Sequence, residues 1–247
     1  MKRPPVVRPG EEVTTVGKVF GTPIVVKGWT WLPIIEAAAW GFTSWLAGVR
    51  RPERSITERL RVGLLMMPVL VGSEWCHNFT HAAAARLVGK PMDAIRITWG
   101  TPLLVYFNID DESVAPREHI VRSLGGPIFN ALTIPLAILL RGMTNPDSAA
   151  RDLANIALGT NTFILGVALL PIPGLDGGPI LKWSLVSQGV SRQDADRVVR
   201  RTNGVLGLVL AGASVVAAKK RHYLVAGVLA QLAATSMGIA SGLLQEQ

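Results

Sequence analysis

Ser73-Glu74-Trp75-Cys76-His77-Asn78-Phe79-Thr80-His81 sits within an apolar run, residues 62–88, and holds two of the four histidines in a 247-residue chain. Residues four apart on an α-helix differ by about 40° in azimuth and about 6 Å in height, so His77 and His81 can point both imidazoles at one place. Two readings of that spacing stand. The pair can hydrogen-bond to a neighbouring helix, or it can supply two ligands to a metal ion. The residue after the first histidine is Asn78, where a zinc hydrolase would carry a glutamate.

Working outward, the composition points to a bilayer as solvent. Residues of the hydrophobic class make up 49% of the chain and charged residues only 17%, against roughly 25% charged in soluble domains. The net charge of +8 does not suggest nucleic-acid binding, because Lys and Arg fall between the apolar runs and not on one amphipathic face. Anionic lipid headgroups are the expected counterpart. Cys76 is the sole cysteine, which excludes an internal disulfide and a cysteine-based zinc cluster.

The hydropathy pattern predicts a mainly α polytopic membrane protein. Apolar runs at 29–46, 62–88, 120–140 and 153–170 give four transmembrane helices, and runs at 205–218 and 223–244 bring the count to about six. The run at 205–218 is short for a full crossing. Residues 92–108 alternate with period two and predict a small membrane-associated β-hairpin turning at 100–102. Three regions follow: a polar N-terminal segment, 1–28, with room for a strand; a membrane core, 29–185; and a basic connection followed by a C-terminal transmembrane hairpin, 186–247.

A third group to join the histidines is predicted from topology. The runs at 62–88 and 153–170 end on the same membrane side, because two crossings separate those ends, and Asp176 follows the second of them. Two histidines and a carboxylate would leave a fourth tetrahedral position for water. Ionisable groups at membrane depth are costly unless paired or metal-bound. Read alone, Asp176-Gly177-Gly178 is also an ordinary turn.

Taken together, these residues resemble the site-2 protease family of membrane-embedded zinc metalloproteases over residues 18–185. The family's His-Glu-x-x-His helix continues Ala-x-x-Ala-Arg-x-x-Gly; here His77 and His81 are followed by Ala82, Ala85, Arg86 and Gly89. Gly126-Pro127-Ile128-Phe129-Asn130 is similar to its Gly-Pro-x-x-Asn segment. Asn161, and then Pro171-Ile172-Pro173-Gly174-Leu175-Asp176-Gly177-Gly178, is similar to its late Pro-x-x-Leu-Asp-Gly-Gly motif. The resemblance implies a zinc ion held by His77, His81 and Asp176. It further implies a site inside the cell membrane near the cytosolic face, and cleavage of a transmembrane segment of another membrane protein.

Two positions depart from the family. Its catalytic glutamate, a general base, falls at Asn78, and an amide has no titratable proton with which to do that work. Ala168 stands where the family often has asparagine. Glu74, one turn before His77, is the nearest carboxylate, and is read either as a partner for the second nitrogen of His77 or as a replacement base. Two functions follow from this. One is an intramembrane zinc metalloprotease. The alternative is a catalytically inactive pseudoprotease that binds membrane protein partners. A transporter is disfavoured because no repeated halves are evident. His119 and His222, at the ends of runs, are expected to be solvated at the interface.

Overall fold

The computed structural model describes residues 8–244; the first seven residues of the polar N-terminal segment and residues 245–247 lie outside it. Strands β1 (Thr14–Val19) and β2 (Thr22–Val26) are followed by a single 3-10 turn, Gly28–Trp31, and helices α1 (Ile34–Arg50) and α2 (Ile56–Leu87). Strands β3 (Ala94–Thr98) and β4 (Thr101–Val105) come next, then α3 (Pro116–Met143), α4 (Ala149–Ala168), α5 (Gly177–Ser187), α6 (Arg192–Lys219) and α7 (Tyr223–Ala240). The chain forms two compact units. One comprises residues 108–123 and 168–244; the other comprises residues 8–107 together with 124–167.

In the second of these units a four-stranded sheet runs in the order β1-β2-β3-β4. Its two hairpins are antiparallel, and β2 and β3 pair in parallel. Both hairpin turns have two residues with positive φ, Phe20-Gly21 and Trp99-Gly100, the backbone handedness that matches strand twist. The second turn therefore sits one residue earlier than the pattern predicted, and Pro102 lies within β4, opposite Ile97. A proline is tolerated there because β4 is an edge strand. The N-terminal segment supplies two strands where one was expected.

The sheet docks on the last turns of α2. Ala82 and Ala85 pack against Met92 and Ile95, so the apolar side of the sheet meets the helix just past His81. Trp75 of α2 donates its indole N–H to the Gly100 carbonyl at 3.1 Å, pinning the β3–β4 turn to the same helix. At its start α2 is closed by a reciprocal cap between Ser55 and Glu58, satisfying backbone donors that would otherwise be orphaned.

Helices α1 and α2 form a close hairpin. Thr43 Oγ1 donates to the Gly63 carbonyl at 2.8 Å, and Ala47 and Met66 are fully buried. A buried ion pair, Arg54 with Asp152 at 2.5 Å, ties the α1–α2 connection to the start of α4.

Among the described residues, four helical segments are long and apolar enough to cross a membrane: Gly28–Arg50, Pro116–Met143, Arg192–Lys219 and Tyr223–Ala240. The runs at 62–88 and 153–170 also form helices, α2 and α4, but fall outside this set. Glu74, His77, Asn78 and His81 dilute the hydropathy of α2, and α4 begins early enough to include Arg151 and Asp152. The C-terminal hairpin is longer than expected. The basic connection at 191–201 is the start of α6, capped by Ser191, whose hydroxyl accepts from Asp194 N at 3.1 Å.

A Cβ added at Gly63 would lie 2.1 Å from Ser44 Oγ and 2.6 Å from the Ser44 backbone nitrogen. Gly63→Val is expected to force α1 from α2 and cost about 1–3 kcal/mol. The check is a lowered thermal unfolding midpoint of the detergent-purified protein.

Candidate functional site

His77 and His81 sit where helical spacing placed them, both buried, on one face of α2. Their rings meet edge to face, with centroids 4.8 Å apart, and the two Nε2 atoms approach to 3.2 Å. What allows this is the neighbouring α3. A Cβ on Gly125 would come within 2.6 Å of the Thr80 carbonyl and 2.8 Å of His81 Cα. A Cβ on Gly126 would come within 2.5 Å of Nε2 of both histidines. The two glycines bring one helix backbone against another, and Gly126 keeps clear the space on which both nitrogens converge.

A chain of side-chain amides then orients His77. Asn161 on α4 donates from Nδ2 to the Ala157 carbonyl at 2.8 Å, which fixes the sense of its amide. Its Oδ1 therefore accepts from Asn130 Nδ2 at 2.8 Å. Asn130 Oδ1 in turn faces His77 Nδ1 at 2.5 Å and can only accept from it. The proton of a neutral His77 is thus held on Nδ1, and its lone pair is on Nε2, directed toward His81. Asn161 Nδ2 also donates to Ser73 Oγ at 3.0 Å, and Ser73 donates to the Val69 carbonyl at 2.8 Å. Asn130 and Asn161 have no solvent exposure, so this network is the means by which their polar atoms are satisfied.

The arrangement suits a metal ion. Two nitrogens each about 2.0–2.1 Å from a tetrahedral zinc would lie about 3.3 Å apart, close to the spacing here. A metal-binding histidine also normally donates its other nitrogen to an oxygen acceptor, the role Asn130 fills.

Asn78 is buried between these two residues on the same helix. Its Nδ2 donates to the Glu74 carbonyl at 2.9 Å and to Glu74 Oε1 at 3.2 Å. Glu74, considered as a partner for His77, is instead engaged by Asn78, and the acceptor for His77 Nδ1 is Asn130.

In the other unit, Asp176 immediately precedes α5 at the end of the proline-rich turn. A Cβ on Gly177 would lie 2.3 Å from the Leu169 carbonyl, and one on Gly178 would lie 2.6 Å from the Ile172 carbonyl. The paired glycines therefore let α5 start tight against the preceding turn. Asn203 of α6 donates to the Pro171 carbonyl at 2.8 Å, anchoring that turn from a position no motif had marked. His119, expected at a solvated interface, is buried and stacked flat on Trp183 with centroids 3.9 Å apart. Ala168 is buried as well.

The structure resembles that of a site-2 protease from Methanocaldococcus jannaschii, with a TM-score of 0.52 over 91% of this chain and 95% of that one. The chain has the site-2 protease fold. Sequence identity over that match is 14%, so the likeness is one of fold. No protein-family model and no curated protein sequence matches the chain. The site-2 protease fold and four apolar helices make this an integral membrane protein.

Asn161→Leu would strand the Asn130 Nδ2 donor in a buried place. The expected cost is about 1–3 kcal/mol, read as a fall in the unfolding midpoint. Asn155→Leu, which removes an exposed bond from Arg141, should lower it much less.

Proposed function

We propose that this chain is an intramembrane metalloprotease of site-2 type in architecture, with a zinc ion held by His77, His81 and Asp176, acting on a transmembrane segment of another membrane protein. The observation that supports it most is the convergence of two Nε2 atoms at 3.2 Å, with the His77 lone pair directed there by Asn130. Asp176 is assigned as third ligand from its motif and its place in the order of motifs along the chain. In this reading the protein lies in the cell membrane with the site toward the cytosol.

Zinc, when bound, supplies Lewis acidity that polarises a carbonyl and acidifies water. Everything else falls to side chains. His77 and His81 hold the ion, Asn130 holds the His77 ring in the productive tautomer, and the buried setting limits access of bulk water. Peptide hydrolysis also needs a group that takes a proton from the attacking water and returns one to the leaving amine. Asn78 can do neither, because an amide does not titrate at neutral pH.

That last observation favours a second reading, a pseudoprotease that binds a membrane partner without cutting it. Asn78 spends its donors on Glu74, so the nearest carboxylate is tied to the amide by a hydrogen bond along the helix. The two readings share the metal site and differ in proton transfer.

Two measurements separate the elements of this proposal. Elemental mass spectrometry of the detergent-purified protein is expected to find about one zinc per chain, lost in His81→Ala and in Asp176→Ala. Zinc retained in Asp176→Ala would remove that residue from the ligand set. Asn78→Glu is expected to raise cleavage of a helical membrane substrate by about 10²–10⁴-fold. Unchanged cleavage with zinc bound would leave the binding role.

A further inference from the structure

Helices α6 and α7 form an antiparallel hairpin whose open end brings Gly204 beside Ala240; a Cβ on Gly204 would sit 3.6 Å from the Ala240 Cβ. Both apolar stretches stop at this level. No charged residue occurs from 202 to 218 or within α7, and about 17 residues of helix rise about 26 Å, close to the thickness of bilayer hydrocarbon. The open end of the hairpin therefore lies at a membrane surface.

At that level there is a cavity of about 500 Å³ whose wall includes Arg197, Arg200 and Arg201, with Gly204 and Ala240 beneath them. Arg197, Arg200, Arg201 and Gly204 recur at intervals of three and four, so they share one face of α6. All three arginines are exposed. Arg197 pairs with Asp194 at 2.8 Å; among the described residues neither Arg200 nor Arg201 is paired with a carboxylate.

One carboxylate, Asp196, also lines the cavity. It is held by Lys182 at 2.9 Å, and Lys182 is shared with Asp110 at 2.8 Å. Burial alone would push the Lys182 ammonium down, but its bonds to the two aspartates carry it above its ordinary value. Asp196 is thus engaged by Lys182, and with three arginines to one aspartate the cavity keeps an excess of positive charge.

We propose that this cavity is a binding site for the phosphate headgroup of an anionic phospholipid, received by Arg197, Arg200 and Arg201 at the mouth of the α6–α7 hairpin. The volume is in the range of small-molecule sites. Guanidinium forks match phosphate oxygens two at a time. The acyl chains of a lipid entering from the surrounding leaflet would run down the exposed Val205, Leu208 and Val209 of α6.

The test uses the full chain in detergent, exchanged into micelles containing phosphatidylglycerol or phosphatidylcholine, with lipids retained per chain counted by native mass spectrometry. Wild type is expected to retain phosphatidylglycerol about 30- to 150-fold over phosphatidylcholine, as two or three surface charges would give. R197Q/R200Q/R201Q should remove that preference. K219Q/K220Q/R221Q, which neutralises the basic turn at the opposite end of the hairpin, should keep it.

Gly204→Leu, which leaves every arginine in place and fills the cavity, should also remove it and decides the matter if the triple variant does not fold. A preference that survives both the triple variant and Gly204→Leu, or that is lost equally in K219Q/K220Q/R221Q, overturns the site. Displacement of the lipid by inorganic phosphate with equal preference overturns the lipid in favour of a soluble anion.

Discussion

Everything chemical about this protein depends on the approach of α3 to α2 at Gly125 and Gly126. With any side chain at these positions the two helices would stand further apart, because the atoms in the way are the Thr80 carbonyl, the His81 backbone and the two imidazoles. Close approach puts Asn130, one turn further along α3, within reach of His77, and from there Asn161 and Ser73 join. The histidine pair on α2 is a product of helix period alone. The orientation of its rings is a product of the helix beside it.

That division explains what could be seen in the sequence. The histidine spacing and the proline-rich turn with Asp176 behind it are local patterns, and helix and turn stereochemistry place them where they were expected. Asn130 was visible only as the last residue of the Gly-Pro-x-x-Asn segment. Its partners, Asn161 and His77, lie 31 and 53 positions away, and no local rule connects them. Asn203 and Ser73 gave no signal at all, since each acts on an atom that only folding brings near. The β3–β4 turn was misplaced by one residue because Trp99 adopts a positive φ that composition disfavours. The start of α6 was read as a connection because its arginines masked a capped helix, although Ser191 and Asp194 spell the cap.

Asn78 separates fold from chemistry. It occupies the same buried position on α2 that a catalytic carboxylate would need, and it satisfies its own donors locally through Glu74 without disturbing either histidine. In the proposed zinc site, holding an ion and moving a proton would be separable tasks, assigned to positions one residue apart. An amide is therefore accommodated at this position of the fold at little expense to packing.

The amide chain from α4 to His77 has a further consequence. Each of its hydrogen bonds has a direction, and the direction of every one is set by the Ala157 carbonyl, which can only accept. Turning over a single amide would set oxygen against oxygen or N–H against N–H at the next link, so the links reverse together or not at all. The side of the imidazole that is basic is therefore decided by a backbone atom on another helix, and loosening of α4 far from the histidines would reach His77 as a change of tautomer through the turning over of Asn130, the amide against the ring.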